Sequence, residues 1–178
     1  MLSAILRQHI ELCERMIQDD AETLYVSRPV LNGAAIRHWA TSQGFDSALS
    51  NDDLHVTVAF SKTPISWQQF TPQHNRLTMH GGSRSIKKLG DKGAVVLTFL
   101  SERLLQRWTE FREGGASWDY DGYHPHITIS YKGKVDLATI QPYQGDLIFG
   151  PEKFGKVEDD WDTRSVNEEP LVTSNTMR

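Results

Sequence analysis

Two tripeptides of one pattern, His55-Val56-Thr57 and His126-Ile127-Thr128, constrain this chain more than any other feature. Each lies in a run with the alternation of a β-strand, Leu54 to Phe60 in one case and His126 to Tyr131 in the other. Residues i and i+2 of a strand face one side. Each tripeptide therefore presents an imidazole and a hydroxyl together, with a β-branched residue on the opposite face. Two such strands at one cleft supply a general base, a general acid and two hydrogen-bond donors. That set suits phosphodiester chemistry with no metal and no other cofactor.

Composition limits the setting of this chemistry. With 178 residues the chain is long enough for one domain with a sizeable core. A net charge of −4 and a pI near 6.0 argue against coating long nucleic acid by bulk electrostatics. They leave room for a small nucleotide in a local basic pocket. The single cysteine, Cys13, rules out a disulfide framework and a cysteine-rich zinc site, and fits a reducing cytosol. No apolar run approaches the roughly 18 residues of a membrane span. Arg7 and Glu11 interrupt the apolar residues at the N-terminus, so no signal-peptide pattern is read there. A soluble, cytoplasmic protein with no membrane partner is expected.

The element order reads as α+β. Leu2, Ile5, Leu6, Ile10, Cys13, Met16 and Ile17 recur at helical spacing over residues 2–18. Leu24-Tyr25-Val26 begins a strand limited by Pro29. Asn32 is a candidate N-cap for a helix over about 33–43, closed by Gly44. The first His-x-Thr strand is expected to end near Pro64. Strand signals follow at Leu77 to His80 and Ser85 to Leu89, then a strong one at Ala94 to Phe99. Arg84, Lys87 and Lys88 read as a solvated charged strand, with an approach to a phosphate as the alternative. Ser101 is expected to cap a helix over 102–113 that buries Leu104, Leu105, Trp108 and Phe111, and Gly114-Gly115 ends it. A short helix is expected within 135–140, a strand at Leu147 to Phe149, and a further strand in Lys153 to Val157. Each half of the chain holds a tryptophan-bearing helix (Trp39, Trp108), a glycine stop and then a His-x-Thr strand, which hints at a duplication.

The paired His-x-Thr motifs resemble those of the two-histidine (2H) phosphoesterases, a superfamily of RNA 2′,3′-cyclic phosphodiesterases and 2′–5′ RNA ligase-like proteins. Further words match more closely: Leu24-Tyr25-Val26, Ile36 to Phe45, Asp53 to Lys62, Tyr123 to Tyr131, and Phe149-Gly150-Pro151-Glu152 through Trp161. Together these resemble the phage anti-CBASS protein family, whose members degrade the cyclic di- and trinucleotides that signal phage infection in bacteria. The resemblance covers residues 23–161. It implies a two-lobed fold of antiparallel sheets flanking a central cleft, with helices packed outside. Residues 1–22 then form a helical extension and 162–178 a polar tail.

The resemblance also implies roles. His55 and His126 serve as acid and base, and Thr57 and Thr128 bind the phosphate. Tyr25 and Trp161 stand where the family places aromatics against nucleobases, with core packing as the alternative. Glu152 and Glu158 both stand near the position of the family's acidic contact. Apart from the resemblance, His124 is held extended before Pro125 and so shares a strand face with His126, which reads as an orienting or structural role at the site with direct chemistry as the alternative. The expected partner is a cyclic di- or trinucleotide in the host cytoplasm. Other readings are an RNA 2′,3′-cyclic or 2′–5′ phosphodiesterase and a sponge that holds a cyclic nucleotide uncut. A zinc site from His55, His124 and His126 lacks an evident carboxylate or cysteine ligand. The oligomeric state is left open.

Overall fold

The alternation around each His-x-Thr sequence builds the two central strands of a six-stranded antiparallel sheet. The computed structural model describes residues 3–90, 93–132 and 134–158. Its elements in chain order are α1 (Ala4–Asp19), β1 (Ala21–Pro29), α2 (Gly33–Ser42), β2 (His55–Ser66), β3 (Leu77–Met79), β4 (Arg84–Leu89), β5 (Ala94–Phe99), α3 (Glu102–Glu113), β6 (His126–Ser130), β7 (Leu147–Phe149) and β8 (Lys153–Gly155). The large sheet runs β4-β5-β6-β2-β1-β8, and β3 pairs with β7 in a separate two-stranded sheet.

This order carries the hinted duplication. β1–α2–β2 and β5–α3–β6 are equivalent units, with β8 flanking one and β4 the other. The halves meet at Val56↔Ile127 in the large sheet, and Thr78↔Ile148 is the centre of the small one. Both pairs join equivalent positions, as a two-fold arrangement requires. The expected lobes are therefore three-stranded halves of one sheet. Among the described residues, β2 and β6 pair only at Val56↔Ile127.

The core lies on one side of the large sheet. Val56, Val58, Val95, Leu97, Ile127 and Ile129 point into it, and α2 (Ile36, Ala40) and α3 (Leu104, Phe111) cover it. Gly44, at φ +91°, turns the chain out of α2 as only an unsubstituted backbone does easily. Asn32 stands at the N-cap position but its side chain does not cap. Its amide donates to the Asp146 carbonyl at 2.6 Å and its oxygen accepts from the Ile148 N–H, so it ties the helix to β7. Ser101 does cap, with Oγ accepting from the Leu104 N–H at 3.2 Å. Ser101→Ala is expected to lower stability by about 1 kcal/mol, read as a shifted urea midpoint with an unchanged slope.

Two expectations need correction, and a third, the short helix within 135–140, is met by a helix of the 3-10 type. β2 continues through Pro64 to Ser66. The pairing jumps from Leu24↔Ser61 to Glu22↔Ile65, so Pro64 lies in an irregularity where the ladder does not need its missing N–H. In α3 the buried set is Leu104, Arg107 and Phe111, while Leu105 is 47% exposed. The 3-10 helix is a single turn, Leu137–Thr139. α1 forms as expected but leaves Ile5 79% and Met16 61% exposed. Trp161 and the 162–178 tail lie outside the described residues. Among the described residues no helix is long and apolar enough to cross a membrane.

Candidate active site

Strand alternation decides which face the histidines share. Val56 and Ile127 are cross-strand partners with no exposed surface, and both point into the core. Their neighbours His55, Thr57, His126 and Thr128 consequently project from the opposite face. The antiparallel sense sets His55 across from Thr128, and Thr57 across from His126. All four residues of the two motifs thus meet at the seam between the halves.

The two imidazoles are held in the same way. His55 Nδ1 lies 2.7 Å from the Asp53 carbonyl, and His126 Nδ1 lies 2.9 Å from the His124 carbonyl. A carbonyl only accepts, so each Nδ1 must carry a proton. That leaves each Nε2 as the nitrogen that exchanges one. In both strands the carbonyl belongs to the residue two positions upstream, which orients both rings by one local rule.

The threonines differ in their surroundings. Thr57 Oγ1 lies 3.1 Å from the Tyr25 hydroxyl, which also lies 3.1 Å from His55 Nε2. Thr128 is 3% exposed, and its Oγ1 has no hydrogen-bond partner among the described residues. A buried hydroxyl without a partner costs about 1–3 kcal/mol. Such a group is a donor free to meet an incoming acceptor.

The other sequence candidates fall in different places. Tyr25 lies on the histidine face, where its hydroxyl bridges His55 and Thr57 and its ring meets Phe60 edge-on. His124 is exposed, with Nε2 3.0 Å from the Asp121 carbonyl, and its own carbonyl orients His126. Glu158 is exposed beside Val157, whose N–H donates to Thr23 Oγ1. Glu152 is different. It lies on the core side of the sheet, with Arg28, the cross-strand partner of Val56. Arg107 grips it with two hydrogen bonds of 2.9 Å, Nε to Oε1 and Nη2 to Oε2. The Gln73 N–H supplies a third, and the Glu152 side chain has no exposed surface. Burial alone would lower the Arg107 pKa; its hydrogen bonds to Glu152 and Glu110 outweigh that and hold it above its ordinary value. Burial lowers Arg28, against the pull of Glu152. This carboxylate organises the core opposite the site. Among the described residues no group of three or more His, Cys, Asp and Glu side chains is placed to hold a metal ion.

Tyr123 is a site residue that the motif reading passed over. Its hydroxyl donates to the Thr57 carbonyl at 2.8 Å, and its ring stacks on Trp108 at 5.7 Å. It thereby ties the loop before the second motif to the strand of the first. Its sequence signals were its place just before His124 and at the start of the family-like word Tyr123 to Tyr131.

The sheet order and the paired strands form the fold of the two-histidine phosphoesterases. A solved structure described as a phosphoesterase superposes with a TM-score of 0.53 at 15% identity, covering 78% of this chain and 99% of that one. E. coli LigT complexed with 3′-AMP superposes with a TM-score of 0.51 at 16% identity, over 78% and 96%. A narrower match comes from sequence: the profile of the Anti-CBASS protein Acb1 family matches residues 22–164, and the chain belongs to that family. Anti-CBASS protein Acb1 of Caulobacter sp. (strain RHG1) is 45% identical over 151 residues, 82% of this chain and 24% of that protein. That of Sphingomonas paeninsulae is 46% identical over 146 residues, 78% and 23%. That of Enterobacteria phage T4 is 31% identical over 81 residues, 45% and 51%. The chain thus spans about a quarter of the length of the two bacterial relatives.

Proposed function

We propose that this chain is a metal-independent phosphodiesterase that hydrolyses 3′–5′ linkages of cyclic di- and trinucleotides, and so serves phage evasion of CBASS immunity in the host cytoplasm. One observation carries the chemistry: two imidazoles on one sheet face, each with Nδ1–H tied to a main-chain carbonyl. The family name of its relatives supplies the biological setting.

The reaction needs one proton removed and one delivered. One histidine takes, through Nε2, the proton of the nucleophile, a ribose 2′-hydroxyl or water. The nucleophile's oxygen bonds to phosphorus as the bond to the leaving oxygen breaks. The other histidine enters protonated and gives its Nε2 proton to that leaving oxygen. Charge that builds on the non-bridging oxygens is met by the Thr57 and Thr128 hydroxyls. Tyr25 lies against the first of these pairs and suits contact with the substrate there.

Thr128→Val separates this role from a packing role. Removing an unpartnered buried hydroxyl is expected to leave the melting temperature unchanged or raise it. Losing one oxyanion donor is expected to lower kcat by about 10²–10³-fold. A Thr128→Val protein that melts lower and keeps full activity would contradict both halves of the assignment.

The substrate test is chromatography of products from a panel of cyclic di- and trinucleotides, beside an RNA ending in a 2′,3′-cyclic phosphate. Linear products from the cyclic panel are expected. Exclusive opening of the RNA terminus would move the assignment to RNA processing. Intact ligand after long incubation would make the protein a sponge.

A further inference from the structure

The histidine face extends across β5 to β4. Thr128 pairs with Val96, and Val96 with Lys87, so these three stand in one row on one face. The next row runs His126, Thr98, Ser85. Strands lie about 4.8 Å apart, so two strand spacings put the Lys87 backbone roughly 10 Å from that of Thr128. The lysine's long stem carries its ammonium beyond the backbone position.

Ser85, Lys87, Thr98 and His124 line a cavity of ≈ 390 Å³. That is within the range of small-ligand sites. Its floor is polar, with the Ser85 and Thr98 hydroxyls 2.6 Å apart. Among the described residues no aspartate or glutamate lines it, in a chain whose net charge is −4. Lys87 and Lys88 are exposed there and have no ion-pair partner among the described residues. Arg84 is already spent on the carbonyls of Tyr143 and Gly145 beneath. Uncompensated cations beside a hydroxyl floor suit an anion, and His124 and Pro125 of the same lining lead directly into the His126 strand.

A cyclic dinucleotide carries two phosphates on opposite sides of one ring. With one between the histidines, the other must lie to one side along the sheet. Lys153 of β8 stands in the matching row of the other half, Lys153–Ser27–Thr57. The cavity, however, is on the Lys87 side. We infer that Lys87 holds the non-scissile phosphate of a cyclic dinucleotide whose scissile phosphate sits between His55 and His126. This rests on the proposed cyclic-nucleotide activity and adds the subsite that selects a two-phosphate ring over a single linkage.

The test compares kcat/KM for a cyclic dinucleotide with that for a linear dinucleoside monophosphate, which has one phosphodiester and no second phosphate. Wild type is expected to prefer the ring. Lys87→Met should erase about tenfold of that preference through KM, Lys87→Arg should restore most of it, and Lys153→Met should leave it in place. Equal losses on both substrates, no loss on either, or the loss appearing in Lys153→Met instead would overturn the assignment. Binding of the cyclic dinucleotide to His126→Ala protein, with and without Lys87→Met, keeps the two ideas apart. If wild type cleaves neither substrate, the phosphodiesterase reading falls and the subsite stands on binding alone. About tenfold weaker binding then supports it, and equal affinity overturns it.

Discussion

His55→Ala and His126→Ala are each expected to slow cleavage of a cyclic dinucleotide by about 10²–10⁴-fold in kcat, with the melting temperature little changed. The size follows from the role. Each imidazole is one end of a proton transfer, and its Nδ1 is held by a main-chain carbonyl, at 2.7 Å for His55 and 2.9 Å for His126. Both rings are only partly buried, so truncation leaves little cavity and folding should survive. The double variant should be not much slower than the slower single variant, because an acid and a base that act in one step fail together. Independent, multiplying losses would show two groups acting in separate steps. Full activity in either single variant would remove the pair from the chemistry.

The second large effect concerns stability. Glu152→Ala is expected to destabilise the fold by about 3–5 kcal/mol, because it takes the buried carboxylate away from two buried guanidiniums. Arg107 loses both of its hydrogen bonds to Glu152 at once and keeps Glu110 as a carboxylate partner, and Arg28 loses its nearest carboxylate, 3.9 Å away. The Gln73 N–H loses its acceptor as well. Urea unfolding measures the loss, and kcat per folded molecule should stay near wild type at a temperature well below the melt. A variant of unchanged stability with a raised KM would return Glu152 to the substrate side.

The histidine pair and Glu152 mark what could be read in the chain and what could not. The histidines were legible because strand alternation is local: three residues fix which groups share a face. The antiparallel seam then needed only a second copy of the same pattern. Ser101 was legible for a similar reason, since a cap bonds within its own turn. Glu152 was not, because its partner Arg107 is 45 positions away and the pairing depends on how α3 lies under the sheet. Arg107 was missed for the same reason, and Leu105 was given its place on the buried face. Asn32 held its position at the helix start but spent its side chain on β7, more than 110 residues on. Lys87 looked like one charge in a solvated strand. Only the pairing of β4 with β5 and of β5 with β6 places it in the row of Thr128.

The central claim is that one imidazole acts neutral while the other acts protonated, and the pH dependence of kcat/KM for a cyclic dinucleotide tests it most directly. Activity should rise with pH as the base loses its proton and fall as the acid loses its own. The expected profile is a bell between about pH 5 and 8, the range in which imidazoles change charge. It should be unchanged by a chelator. A profile that is flat across that range, or activity that disappears with the chelator, would contradict the two-histidine mechanism.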